Sequence, residues 1–551
     1  MLFWARRVSM SKFFSSSLFH GHAGGRESLH LPCPASTAWF IKVVCTICIR
    51  NSLSLSVLDS YYFRESLDPC VAFGVVYHLN RLNNLELAFS FFRFSRANLN
   101  LTHLESTFDL LLRSLCGMCL YDSAKVVYDY MKADEVSLNS VAMDIVVLSF
   151  AKAGRLRIAE EILISKANFC MGKGEAVSPF VYNEFLGILI SRNQVDDAVL
   201  FFRNHILRLR SLHPDVCSFN TVMRGLCLVG KIDEAFEFFD IMKNFGCHPD
   251  RVSYNTLING LCRVGKLSRA EELLRELKVH PLLSPDVVTY TSIVSGYCKL
   301  SKTDNAAGLF DEMIENGVKP SLITFNVIID GFGKNGEVAS AIRMYERMAM
   351  DGIYPDVVTY TSLIDGHCRC GELQQGMKFW DEMKQRQVLP NLYTFSVLIN
   401  SLCRENRLNE ARDLLRQLSQ RKDIIPKPFV YNPVIDGLCK AGNVDDANAI
   451  IVEMEAKGCV HDKMTFTILI LGHCMKGRMF DAIEIYRKMM SVGCLPDNFA
   501  TSSLISCLRK AGMVREANEI KQRALNSMSS DSSPSKRTMP VRANMNITVA
   551  A

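Results

Sequence analysis

Phe219, Val222, Met223 and Leu226 are apolar among polar neighbours, the spacing of one buried helix face. The pattern predicts a helix over about 217–228, closed by Gly230, since glycine tolerates the left-handed backbone that ends a helix. A second helix is predicted over about 232–245, and Pro249-Asp250 ends this unit and opens the next. The pattern then returns. Tyr254-Asn255-Thr256-Leu257-Ile258 reappears as Tyr290-Thr291-Ser292-Ile293-Val294, Phe325-Asn326-Val327-Ile328-Ile329, Tyr360-Thr361-Ser362-Leu363-Ile364 and Phe395-Ser396-Val397-Leu398-Ile399. Counted at the residue after the aromatic, successive units are 35 or 36 residues apart from Asn220 to Ser502.

The punctuation recurs with the same step. Gly154, Gly265, Gly336, Gly371, Gly442, Gly477 and Gly512 repeat the stop, and Pro214, Pro285, Pro320, Pro355, Pro390, Pro426 and Pro496 the unit end. A small residue early in the second helix (Ala124, Ala159, Ala198, Ala235, Ala270, Ala306, Ala341, Ala411, Ala447, Ala482, Ala517, with Gly376 in one unit) lets two helices cross closely. Regular units begin at 105, 140, 179, 216, 251, 287, 322, 357, 392, 428, 463 and 498, after a degenerate one over 69–104. A lone hairpin cannot bury its apolar face, so neighbours must stack. The expected fold is all-α: a right-handed superhelical α-solenoid of about 12–13 helix-turn-helix repeats of 35 residues, spanning 69–528. Residues 529–551 turn to Ser, Pro and Lys and are expected to be a disordered tail.

Composition adds limits. With 48% apolar and 22% charged residues the chain has material for a continuous core. A net charge of +6 is too small for a polycation, so any polyanion would be met by the placement of the cations. The first 26 residues hold Arg6, Arg7, Lys12 and Arg26, no acidic residue and a cluster of Ser, the chemistry of an organellar transit peptide. Residues 1–40 are expected to be that leader, directed to the mitochondrion, with the chloroplast as the alternative, and 41–68 a linker. The apolar patch Ser36–Ile49 is short for a membrane span and carries Lys42.

The 20 cysteines raise the question of metal or disulfides. Cys116, Cys227, Cys262, Cys298, Cys368, Cys403, Cys439 and Cys474 hold the twelfth place of their units, and Cys247, Cys459 and Cys494 share a place near the unit end. Equivalent positions on neighbouring parallel helices lie too far apart to pair, so these cysteines read as small buried hydrophobes. The Cys116–Cys119 pair with His103 and Glu105 lacks the proline and the spacing of a deaminase zinc site. No cofactor, metal site or catalytic constellation is read, so an enzyme is not expected.

Four columns bear on a binding surface. The fifth residue of each unit is small and polar between apolar neighbours: Asp109, Asp144, Asn183, Asn220, Asn255, Thr291, Asn326, Thr361, Ser396, Asn432, Thr467 and Ser502. A preference for the helix start would account for the residue class. The last residue is Asp215, Asp250, Asp286, Ser321, Asp356, Asn391, Lys427, Asp462 or Asp497, where capping and recognition are both compatible. The thirteenth place holds Lys152, Arg263, Lys299, Lys334, Arg369, Arg404, Lys440 and Lys510. These cations suit either the helix dipole or a phosphate backbone. The second residue is apolar (Val252, Val288, Ile323, Val358, Tyr393, Phe429, Met464, Phe499), either core or a wedge against a flat base. Bases stacked, read by one polar group per repeat and tethered by cations would be single-stranded RNA recognition.

The unit Val287-Val288-Thr289-Tyr290-Thr291 through Gly296-Tyr297-Cys298-Lys299, with Ala306, Phe310-Asp311-Glu312-Met313 and Gly317-Val318-Lys319-Pro320, resembles the pentatricopeptide repeat of plant organellar proteins. Units of one length, with no Asp-Tyr-Trp tail, resemble its P-type subclass. The resemblance implies that the fifth and last residues of a repeat choose one base, with the array parallel to the RNA. Asn183 with Asp215, Asn220 with Asp250, Asn255 with Asp286, Asn326 with Asp356 and Asn432 with Asp462 then imply uracil. Thr361 with Asn391 implies adenine, Thr467 with Asp497 guanine, and Thr291 with Ser321 a purine. Ser396 with Lys427, Asp109 with Asn139 and Asp144 with Ser178 are unread. The implied partner is single-stranded organellar RNA with a core site UUU-purine-UA-any-UG, bound by a monomer that is not inserted in a membrane, with a processing enzyme recruited in trans. The alternative is a protein-binding scaffold without RNA readout.

Overall fold

The computed structural model describes residues 35–50, 55–60, 65–136, 140–173, 177–209, 212–421 and 423–529. The expected leader falls largely outside them, as does the expected tail from residue 530 on. The described residues form two compact units, one within 1–225 and 244–247, the other within 226–243 and 248–551. Each is an all-α helical-repeat solenoid built of stacked hairpins.

The second unit shows the plan. First helices Arg251–Arg263, Val287–Lys299, Leu322–Lys334, Val357–Arg369, Leu392–Arg404, Pro428–Lys440, Lys463–Met475 and Asn498–Lys510 each have 13 residues. Each packs on the next first helix and on its own second helix. Asp250, Asp286, Ser321, Asp356 and Asn391 start their helices with a capping box, their side chains taking the N3 amide while the N3 Ser or Thr takes theirs. At the other end, the fifteenth residue is left-handed, with φ +78° at Gly265, +82° at Gly336 and +77° at Gly442. Ser301 and Asn406 hold the same slot at φ 57° and 58°, so the turn geometry survives without glycine at a strain cost.

The small-residue column is the hairpin's closest approach: Ala270, Ala306, Ala411, Ala447 and Ala482 are wholly buried. The twelfth-place cysteines do the same between repeats. A methyl added at Gly260, Gly331 or Gly472 would overlap the Sγ of Cys227, Cys298 or Cys439 in the preceding repeat. Burial pushes the Cys227, Cys262 and Cys298 thiols up to about 12, so they pack as neutral side chains. Among the described residues no group of His, Cys, Asp and Glu is placed to hold a metal.

In the first unit, the hairpin Pro69–Arg81 with Leu85–Leu99 opens the row of repeats. The stretch expected as leader end and linker is helical over Ala35–Arg50 and packs on Pro69–Arg81. Ile41, Val44, Cys45 and Cys48 are its buried stripe, an i, i+3, i+4, i+7 face that a test of apolar length alone overlooks. No helix among the described residues is long and apolar enough to cross a membrane. The second helix expected over about 232–245 is α-helical over Ile232–Ile241 and finishes as a tighter 3-10 turn, Met242–Phe245.

Candidate nucleic-acid interface

The row of first helices aligns the second, fifth and thirteenth places, and the last-residue column caps the helices. Residues two and five of a helix are one turn apart and share a face. The fifth-place residues are not helix caps: they stand four residues inside, and the last residue of the preceding unit caps. Capping therefore does not explain the fifth column.

What holds the fifth residue is a closed ring of hydrogen bonds between repeats. Asn255 Nδ2 donates to Asp286 Oδ1 at 3.1 Å. Asn326 does so to Asp356 at 3.1 Å and Asn432 to Asp462 at 3.2 Å. The hydroxyl of the third residue of the next repeat donates to the asparagine oxygen: Thr289 to Asn255 at 2.6 Å, Thr359 to Asn326 at 2.6 Å and Thr465 to Asn432 at 2.8 Å. The Asp286 and Asp356 amides donate to the same hydroxyls, each at 3.1 Å. Burial would raise the Asp286 carboxyl, but bonds from Thr289 and Asn255 and the nearby Arg251 outweigh it and hold it below its ordinary value, so it is ionised. Each ring leaves one amide N–H and one carboxylate oxygen outside these bonds.

Other repeats depart from this ring. Asn183 Nδ2 reaches both oxygens of Asp215, at 3.1 and 3.3 Å, while Asn183 Oδ1 is buried without a partner among the described residues. Asn220 is 9% exposed, and Asp250 caps Ser253. Thr291 and Thr361 share 2.8 Å hydrogen bonds with the third-place hydroxyls of Thr324 and Thr394. Ser321 and Asn391 cap, and Thr467 donates to Lys463 O while Asp497 caps Ala500. Ser396 accepts from Asn400 at 3.3 Å, with the exposed, non-capping Lys427 as its last residue. Asp109 pairs with Arg113, and Asp144 with the buried Lys166. Ser502 is exposed; Asn139 lies outside the described residues.

The second-place residues are at the surface rather than in the core. Val252, Val288, Ile323, Tyr393, Met464 and Phe499 are 43–62% exposed, and Val358 and Phe429 are half-buried. Tyr393 and Phe429, from neighbouring repeats, stack with centroids 5.9 Å apart and planes 22° apart. At the thirteenth place, Arg263, Lys299, Lys334, Arg369, Arg404 and Lys440 are exposed and end their helices. Lys334, Arg369 and Lys440 are each held at 2.6 Å by a ninth-place aspartate of the same helix, Asp330, Asp365 and Asp436. Asn259, Ser295 and Asn400 stand in that place ahead of Arg263, Lys299 and Arg404, which keep their charge unmatched within the helix. The aspartates were legible as i, i+4 partners; the sequence reading left them out. It also left out the third-place Ser and Thr, although they recur before every aromatic from Ser218 to Thr394.

Known proteins share the repeat. The PPR repeat family model matches residues 214–263, 285–334, 320–369, 355–404, 426–475 and 464–510, and a second PPR repeat model matches 252–281, 393–422 and 499–524. A pentatricopeptide repeat-containing protein of Arabidopsis thaliana is 45% identical over 223 residues, 38% of this chain and 38% of that protein's own length. Among solved structures, the pentatricopeptide repeat protein PPR10 from maize is 19% identical with TM-score 0.40, over 89% of this chain and 79% of that one. The PPR domain of Arabidopsis thaliana protein-only RNase P 1, solved with tRNA, is 18% identical with TM-score 0.30, over 33% of this chain and 95% of that one. With repeat matches from 214 to 524 and the same hairpin along both units, the chain belongs to the pentatricopeptide repeat family.

Proposed function

We propose that this protein is a non-catalytic, sequence-specific binder of single-stranded RNA that reads one base per repeat. The observation that carries the reading is the Asn–Asp ring at Asn255, Asn326 and Asn432: one amide donor and one carboxylate acceptor held together, beside a second-place apolar side chain that reaches the surface. A uracil edge offers the complementary acceptor and donor, and stacking on the second-place side chains supplies sequence-independent affinity. The exposed thirteenth-place cations supply phosphate contacts. The target class is an organellar transcript carrying UUU-purine-UA-any-UG, bound by a monomeric P-type protein in the mitochondrion, or alternatively the chloroplast. There it acts in transcript processing, stability, splicing or translation, with any processing enzyme recruited in trans.

Fluorescence anisotropy of the full chain with 5′-labelled UUUAUAAUG, its guanine variant at the fourth base and a scrambled control, at two salt concentrations, tests this. Tight, salt-weakened binding that prefers the designed sequence is expected. Equal binding to all three would sink the base assignments. No binding to any would favour a protein-binding scaffold.

A further inference from the structure

The third-place hydroxyl has no role in the pairwise reading of bases, yet it is wholly buried in Thr289, Thr324, Thr359, Thr394 and Thr465. In Thr289, Thr359 and Thr465 it donates to the fifth-place asparagine of the repeat before, and in Thr324 and Thr394 it shares a hydrogen bond with the fifth-place threonine. Its single proton has two acceptors within range. Thr359 Oγ1 is 2.6 Å from Asn326 Oδ1 and 3.0 Å from Asp356 Oδ1. Asp356 Oδ1 already takes the Thr359 and Val358 amides and the Asn326 amide, so the proton belongs to the asparagine oxygen. That bond fixes which end of the Asn326 amide is nitrogen. Turned over, the amide would set its oxygen against the Asp356 carboxylate and lose the hydroxyl's proton.

The chain contains its own comparison. In the repeat after Asn183 the third residue is Ser218, whose hydroxyl bonds to Asp215 Oδ1 at 2.6 Å, and Asn183 Oδ1 is left buried and unpartnered. Threonine differs by one methyl, which limits its χ1 rotamers; serine is freer to turn to the carboxylate. In the repeat after Ser396 the third residue is Val430, with no hydroxyl, and no Asn–Asp pair stands before it.

We propose that the third-place hydroxyl is a positioning residue for base choice in the preceding repeat. It locks the fifth-place asparagine with its N–H toward the base, and threonine does so more strictly than serine. This rests on the base-reading function proposed above. The amide's orientation matters because exchanging donor for acceptor is the exchange that separates O4 of uracil from the N4 amine of cytosine. Uracil is therefore read more stringently opposite Asn326 than opposite Asn183.

The test measures affinity of the full chain for UUUAUAAUG, for UUUACAAUG, altered opposite Asn326, and for CUUAUAAUG, altered opposite Asn183. The wild type should prefer uracil over cytosine by a larger ratio at the fifth base than at the first. Thr359→Val should lower the fifth-base ratio about five-fold, the worth of one ordinary net hydrogen bond, and leave the first-base ratio alone. Ser218→Thr should raise the first-base ratio by a similar factor, a gain that general loss of structure cannot imitate. Asn326→Ala separates the two ideas. If it abolishes the fifth-base preference while Thr359→Val and Ser218→Thr change neither ratio, the positioning role is wrong and base reading stands. If Asn326→Ala also changes nothing, base reading fails and the positioning role with it.

Discussion

Asn326 donates its side-chain amide to Asp356 over 3.1 Å although the two stand 30 residues apart, as the fifth and the last residue of one repeat. Neither residue is fully exposed, and both are held by Thr359, whose hydroxyl donates to Asn326 and whose backbone amide donates to Asp356. A pair fixed this way acts as one recognition unit, so changing both members should change the base rather than abolish binding. Asn326→Thr with Asp356→Asn copies the Thr361 and Asn391 combination, and the expected outcome is a switch from uracil to adenine at the fifth base. Competition among four oligonucleotides differing only there reads it out.

Tyr393 and Phe429 lie ring against ring at the surface, and a base entering between them has to part the pair. Tyr393→Ala should weaken binding of UUUAUAAUG by about 1 to 3 kcal/mol, the usual worth of a base–aromatic stack. Replacing the seventh base with another should matter little. Tyrosine fluorescence should change on RNA addition in the wild type at this site and not in the Tyr393→Phe variant.

The cations should differ in what they contribute. Arg263→Gln and Lys299→Gln each remove a charge with no ninth-place carboxylate and should lower the slope of log affinity against log salt by about 0.7. Lys334→Gln should do less, because Asp330 already offsets Lys334 at 2.6 Å. Asp330→Asn frees that lysine and should tighten binding at low salt.

Gly331 faces Cys298 with no room for a methyl. Gly331→Ala should destabilise the stack by about 1 to 3 kcal/mol through overpacking, seen as faster hydrogen exchange in helices Val287–Lys299 and Leu322–Lys334. Cys298→Ala in the same chain should recover most of the loss, since the two sites share one contact.

Burial, helped by the Arg96 guanidinium, pushes the His103 imidazole down to about 4 from 6.5. Its folded value is depressed, so the unfolded chain takes up the proton first. Stability from the neutral, buried ring is full above about 6.5 and is lost progressively as pH falls toward about 4. Protection against hydrogen exchange in Leu85–Leu99 and Glu105–Gly117, taken relative to the intrinsic amide rate at each pH, should therefore fall across that window, and His103→Gln should flatten the dependence.

The helices were legible because their signals are local. The glycine stop and the Asp, Ser or Asn before each first helix act through bonds a few residues apart, the small residue of the second helix acts by packing within one hairpin, and Gly265, Asp286 and Ala270 stand in the structure as their patterns require. The helix Ala35–Arg50 was missed because its four buried residues were judged by apolar length, not periodicity. The candidate site was half legible. Its fifth and last columns stood out by polarity, whereas the exposure of the second column and the pairing of Lys334, Arg369 and Lys440 needed the surface itself.

By itself the sequence determined the repeat length, the hairpin and the residue types that line each column, since these follow from helix periodicity and chain punctuation. Only the tertiary structure decided that the hydroxyl of Thr359 closes on Asn326 while that of Ser218 turns from Asn183. Those atoms lie more than 30 residues apart along the chain, and only the lateral packing of neighbouring first helices sets the distance between them.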